Sequence, residues 1–144
     1  MIETIKNDSL QITVKSLGAE MISLKSLPDE KEFLWQGDSR YWSGQSTVLF
    51  PIIGGLPDDK YSLDGRIYEM MPHGFARISD FELVKKTQSE LCFRLLSSNQ
   101  TLERFPYRYE FFVTYRLERN TLHHALQVNN VDEKTMLFSV GAHP

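Results

Sequence analysis

Cysteine is almost absent: Cys92 is the only one in 144 residues. That excludes an internal disulfide framework and any multi-cysteine metal site, and a lone thiol fits a reducing cytoplasm as the expected location. No apolar run is long enough to span a bilayer. The opening residues MIETIKNDSL carry acids and no apolar core, so they do not read as a secretory signal. Neither sign of charge dominates. With a formal net charge of -3, no general footprint for nucleic acid or an anionic lipid surface is expected. Glycines never fall at phosphate-loop spacing, since FPIIGG and GLPDD match neither GxGxxG nor GxxxxGKS. No serine sits in a nucleophile elbow, and Cys92 in ELCFRL is flanked by strand residues, which makes it a structural thiol. Long helical stripes are missing too, because the 3.6-residue period does not beat period two in any window.

What remains is a chain of ordinary globular composition, 41% hydrophobic and 24% charged, of a length that suits one domain with a core of normal size. Alternation dominates it. In YRYEFFVTYRLE, Tyr107, Tyr109, Phe111, Val113, Tyr115 and Leu117 share one face and polar residues take the other, with Phe112 the breach. Successive strand side chains point to opposite faces, so this is a half-buried antiparallel strand. ERNT supplies a turn, and LHHALQVNN resumes the alternation at Leu122, His124, Leu126 and Val128 to close a hairpin. LQITVKS alternates likewise. KYSLDGRIYEM places Asp64-Gly65 between two short strands, and Asp-Gly tolerates the positive φ angles of a type I′ turn. FELVKKTQSELCFRLL reads as a strand pair, SNQTLERF as a short turn of helix, and MLFSVGAH as a final strand. Many short strands separated by turn signals specify an all-β antiparallel sandwich or barrel. FPIIGGLPDDK is a loop too apolar for a flexible tether, the kind that is packed by its own side chains and often carries function.

Four histidines are present, His73, His123, His124 and His143. His124 shares a face with apolar residues and reads as a core histidine or one satisfied by a neighbour, while His123 points the other way, to solvent. His73 lies in MPHGFARISDFEL between proline and glycine, at a break in the strand pattern. It either presents its ring to a ligand together with Arg77, four residues on, or caps a backbone carbonyl, and spacing alone favours the cap. Along MLFSVGAH, the face of Leu137, Ser139, Gly141 and His143 becomes smaller and more polar toward its end. This leaves room for a ligand over the sheet, and an ordinary strand-end histidine is the competing reading. Trp35, Tyr41 and Trp42 flank GDSRYW. Flat rings beside a loop suit the apolar face of a sugar, and equally suit a sandwich core.

GAEMISLK, FLWQGDSRYW, LFPIIGGL, PHGFAR, FPYRYEFFVTYRL, LQVNN and MLFSVGAHP, in that order, resemble the aldose 1-epimerases, or galactose mutarotase-like proteins, of the lactose-operon type. PHGFAR and FSVGAHP are the most specific of these stretches, and the resemblance runs over essentially the whole chain. It implies a β-supersandwich, with residues 1–144 as the N-terminal part of a single domain, incomplete here because GAHP lies near the middle of the family's domain. It implies an isomerase that interconverts the α and β anomers of an aldohexose by acid–base ring opening. His143 would protonate the ring oxygen, and His73 would hydrogen-bond the sugar near it. No cofactor is implied, and the partner is a small-molecule sugar whose phosphorylation the sequence leaves open. The family's glutamate base belongs to the C-terminal half, so residues 1–144 alone are expected to be inactive, and Glu20, Glu69 and Glu133 are not nominated in its place. Galactose mutarotases proper carry an arginine, in an Asn-Arg pair, in the loop before the HG histidine. PIIGGLPDD has none, and Arg77 is the candidate for that substrate contact. The alternative expectation is a carbohydrate-binding sandwich without turnover.

Overall fold

The computed structural model describes residues 1–144. Eleven strands follow one another as β1 (Ile2–Lys6), β2 (Leu10–Lys15), β3 (Glu20–Ser26), β4 (Thr47–Leu49), β5 (Lys60–Leu63), β6 (Arg66–Glu69), β7 (Glu82–Lys86), β8 (Glu90–Leu96), β9 (Tyr109–Glu118), β10 (Thr121–Asn130) and β11 (Gly141–His143). The single α-helix, α1 (Asn99–Leu102), is one turn long, begins at a Ser98–Thr101 capping box, and falls in the SNQTLERF segment read as helical. No helix is long and apolar enough to cross a membrane.

Every strand pairing is antiparallel. A three-stranded sheet has the order β1-β2-β3, a four-stranded sheet the order β10-β9-β8-β7, and β4–β11 and β5–β6 form two short ladders. The β9–β10 hairpin keeps unbroken register from Thr121 opposite Glu118 to Asn130 opposite Tyr109. The alternation of β9 is realised in full: Tyr109, Phe111, Val113, Tyr115 and Leu117 are buried while Arg116 and Glu118 are exposed. Asp64 and Gly65 turn β5 into β6 with φ of 49° and 76°, the positive pair that an Asp-Gly turn accommodates.

Both large sheets feed one cluster of 22 buried residues. Ile5, Ile12, Val14 and Met21 come from the three-stranded side, and Leu91, Phe93, Phe111, Val113 and Tyr115 from the four-stranded side. Tyr115 Oη, buried in this core, donates to the carbonyl of Ala19 at 2.8 Å and so ties β9 to the turn before β3. Phe50 sits at the centre. Its ring lies 4.9–6.3 Å from the rings of Phe75, Phe105, Tyr109, Phe111 and Phe138, and burying such a side chain contributes about 2–3 kcal/mol. Phe50 directly follows β4, so the core's central ring and the strand that pairs with β11 belong to one short segment.

The final strand is shorter than the sequence pattern predicts. Alternation argued for a strand from Met136 to His143, but only Gly141–His143 form one. β4 offers a partner edge of three residues, and β11 extends no further than that edge. Upstream, Ser139 donates its N–H to the carbonyl of Pro51, in a loop. The expected apolar face is accordingly broken: Met136 is buried, whereas Phe138 and Ala142 are exposed.

Candidate functional site

The apolar loop after β4 organises the two histidine motifs. Phe50 pairs in parallel with Gly74, and its carbonyl accepts N–H groups from Phe75 and Ala76 at 3.1 and 3.2 Å. A Cβ on Gly74 would lie 2.2 Å from that carbonyl oxygen, so glycine alone permits the approach. Gly74 also has φ of 70°, in the left-handed region that glycine enters at least cost. His73 shares that region with φ of 66°, which is unusual for a residue with a side chain. What holds it there is a reciprocal pair of bonds with Gly54. The His73 N–H donates to the Gly54 carbonyl at 2.8 Å, and the Gly54 N–H donates to His73 Nδ1 at 3.1 Å. With Nδ1 occupied as an acceptor, the neutral ring carries its proton on Nε2 and presents a donor there.

Arg77 closes the same turn. It lies in a 3₁₀ turn, Ala76–Ile78, and its Nη2 donates to the carbonyl of Pro72, the residue before His73, at 3.1 Å. Its Nε is buried without a partner in the protein. The backbone beneath is tight, since a Cβ on Gly18 would meet the Arg77 carbonyl oxygen at 2.8 Å.

His143 stands on the other arm of the arrangement. It is the last residue of β11 and pairs with Thr47 of β4. The side chain of Ile53 packs over Gly141, where a Cβ would meet Ile53 Cδ1 at 2.9 Å. The segment from Pro51 to Gly54 therefore touches both motifs: Pro51 and Ile53 hold the approach to β11, and Gly54 holds the His73 ring. Sequence reasoning marked this loop as functional but missed Gly54 as the partner of His73. The signal was available in the run of two glycines, although nothing local says which N–H meets an imidazole.

His143 is exposed, and its ring lies edge-on to the indole of Trp42, with centroids 4.8 Å apart and planes inclined at 63°. Trp42 belongs to the loop between β3 and β4. That loop is clamped by Glu20, a carboxylate only 4% exposed. Its Oε1 accepts the N–H groups of Gln45 at 2.7 Å and Ser46 at 3.3 Å, and its Oε2 pairs with Lys15 Nζ at 2.6 Å. Glu20 is thus committed to the scaffold. Glu69 and Glu133 are exposed.

Of the other histidines, His123 follows the sequence reading, whereas His124 is half-buried and its Nε2 has no hydrogen-bond partner. His123 is exposed and lies 3.2 Å from Glu118. His124 stacks on Tyr115 with centroids 4.4 Å apart, and burial pushes its imidazole below the ordinary value. A cleft of about 480 Å³ runs between Phe75, Asp80, Glu82, Arg94 and Arg104 and is lined by none of His73, Arg77 or His143. His143 is exposed and His73 half-buried.

The family model described as aldose 1-epimerase matches residues 1–144. The chain is 35% identical over 149 residues to the chromosomal LacX protein of Lactococcus lactis subsp. lactis, covering 97% of this chain and 48% of that one. Among solved structures it superposes on a galactose mutarotase related enzyme from Lactobacillus acidophilus with a TM-score of 0.98 at 38% identity, covering all of this chain and 48% of that one. A galactose mutarotase-like protein from Lactobacillus casei ATCC 334 gives a TM-score of 0.97 at 37% identity, with 100% and 49% of the two chains covered. The chain spans about half the length of the relatives it matches.

Proposed function

We propose, for a chain that belongs to the aldose 1-epimerase family, that it forms the histidine-bearing part of an isomerase that interconverts the α and β anomers of an aldohexose. The observation that carries this reading is the shared Pro51–Gly54 segment. It fixes the His73 ring through Gly54 and packs against Gly141, two residues before His143, through Ile53, so one loop touches both histidine-bearing segments.

A cyclic aldose is a hemiacetal. Opening it removes the proton of the anomeric hydroxyl and delivers a proton to the ring oxygen. The free aldehyde then rotates about C1–C2 and recloses on the other face. Histidine suits the proton delivery because its ordinary pKa lies near neutrality. His143 is exposed at the end of its strand, and in this proposal it protonates the ring oxygen. His73 is set up as a neutral donor at Nε2 and hydrogen-bonds the sugar beside that oxygen. Arg77 braces the His73 turn through Pro72, and in this proposal its guanidinium contacts the sugar beside His73. The base that takes the anomeric proton is not assigned to any carboxylate of residues 1–144, and Glu20 is consumed by the scaffold. Residues 1–144 in isolation are therefore expected to bind sugar without turning it over.

The test is anomer exchange by proton NMR, with the intact gene product added to equilibrated D-galactose and D-glucose. Exchange between the α and β anomeric signals well above the buffer rate supports the proposal. Sugar-dependent shifts in protein resonances with exchange at the buffer rate support a carbohydrate-binding sandwich instead.

A further inference from the structure

Resting on the assignment of His143 as the proton donor, we infer that Trp42 is a positioning residue: its indole holds the His143 imidazole in the orientation needed to reach the sugar ring oxygen, with Gly44 as the seat of the indole. His143 needs such a partner. It ends a strand of only three residues, it is exposed, and no side-chain hydrogen bond holds it within residues 1–144. A ring in that position samples several rotamers, and each one that misses the substrate lowers the fraction of productive encounters. The edge-on contact with Trp42 at 4.8 Å selects among them, in the geometry that aromatic pairs favour.

Trp42 can fix another ring because it is itself fixed. Its backbone N–H donates to the Asp38 carbonyl at 2.9 Å, and its carbonyl accepts Trp35 Nε1–H at 2.8 Å. Its indole lies directly over Gly44, where a Cβ would stand 2.5 Å from Cζ2 and 2.7 Å from Cε2. One and two residues later, the N–H groups of Gln45 and Ser46 are gripped by the buried Glu20 carboxylate. The loop is thus pinned on both sides of the indole, and the pinning leads straight into β4, the strand that pairs with His143. Trp42 has no group that exchanges protons near neutrality, so its contribution is orientation rather than chemistry.

The test uses the intact gene product with Trp42→Leu, Trp42→Phe and Gly44→Ala, read by anomer-exchange kinetics and by NMR of the histidine ring protons, with His143 assigned from a His143→Gln spectrum. In Trp42→Leu, the His143 ring signals lose the indole ring-current shift, and kcat falls about ten- to a hundredfold while KM stays within about twofold. Trp42→Phe restores most of the rate, and Gly44→Ala moves the same His143 signals because its methyl displaces the indole. Unchanged His143 signals in Trp42→Leu would overturn the contact. Moved signals with unchanged kcat would overturn the positioning role. A rise in KM at constant kcat would overturn it in favour of direct sugar binding by the indole. If His143→Gln itself exchanges anomers at the parent rate, the assignment of His143 falls and takes the positioning role with it, whatever the ring signals report.

Discussion

Gly54 donates its backbone N–H to Nδ1 of His73 at 3.1 Å, and this one bond decides what the imidazole offers a ligand. A ring that already accepts at Nδ1 carries its N–H at Nε2 when neutral, so His73 offers a ligand a donor. The bond also restrains a non-glycine residue in the left-handed region, where the conformation by itself costs about 1–2 kcal/mol.

The turn that makes this possible is most vulnerable at Gly74. Gly74→Ala adds a left-handed penalty of about 1–2 kcal/mol and a methyl 2.2 Å from the Phe50 carbonyl oxygen. Phe50 is the ring at the centre of the core, so relief of the clash disturbs packing. A loss of about 3 kcal/mol or more is expected, read as a lowered urea midpoint. A midpoint within error of the parent would show that the 73–76 turn relaxes freely.

Glu20 anchors the loop that carries Trp42. Glu20→Ala leaves the Gln45 and Ser46 N–H groups and Lys15 without their acceptor. A cost of about 2–4 kcal/mol is expected, with faster amide hydrogen exchange at Gln45 and Ser46. Glu20→Gln keeps an acceptor oxygen and is expected to protect those two amides better than alanine does, while still losing the Lys15 pair. Equal exchange in the two variants would mean that the ion pair, rather than the N–H acceptance, holds the loop.

His124 gives stability a dependence on pH. Burial against Tyr115 lowers its imidazole from the ordinary 6.5, so the unfolded chain takes up the proton first as pH falls. The stability present above about pH 6.5 is therefore lost as pH drops from there through the folded value, by at most about 1.4 kcal/mol per pH unit for one proton. His124→Phe keeps a ring for Tyr115 to stack on and removes the titration. Urea midpoints at pH 7.5 and 5.5 are expected to differ less in this variant than in the parent. An equal difference in both would exclude His124 as the source.

Local sequence made much of the fold legible. Period two located β9 and β10 because one face of each is apolar and the turn between them is short. Asp64-Gly65 placed a hairpin because the dipeptide tolerates positive φ at both residues. The end of the chain was less legible. Alternation extended the last strand back to Met136, but strand pairing depends on a partner's free edge, and β4 supplies only three residues. The same limit applies to the site. PHGFAR and GAHP identify His73 and His143, yet the Gly54 bond spans 19 residues, and the Trp42–His143 contact joins a loop and a strand end far apart in the chain. No local pattern encodes such contacts, because they arise from the packing of Phe50 and from the Glu20 clamp.

The most direct measurement compares anomer exchange of an aldohexose by the intact gene product and by its His143→Ala variant, with folding checked by the dispersed β9 and β10 amide signals. A folded variant whose exchange rate is about 10²-fold or more below the parent is the expected result. A folded variant that exchanges anomers at the parent rate would contradict the assignment of proton delivery to His143.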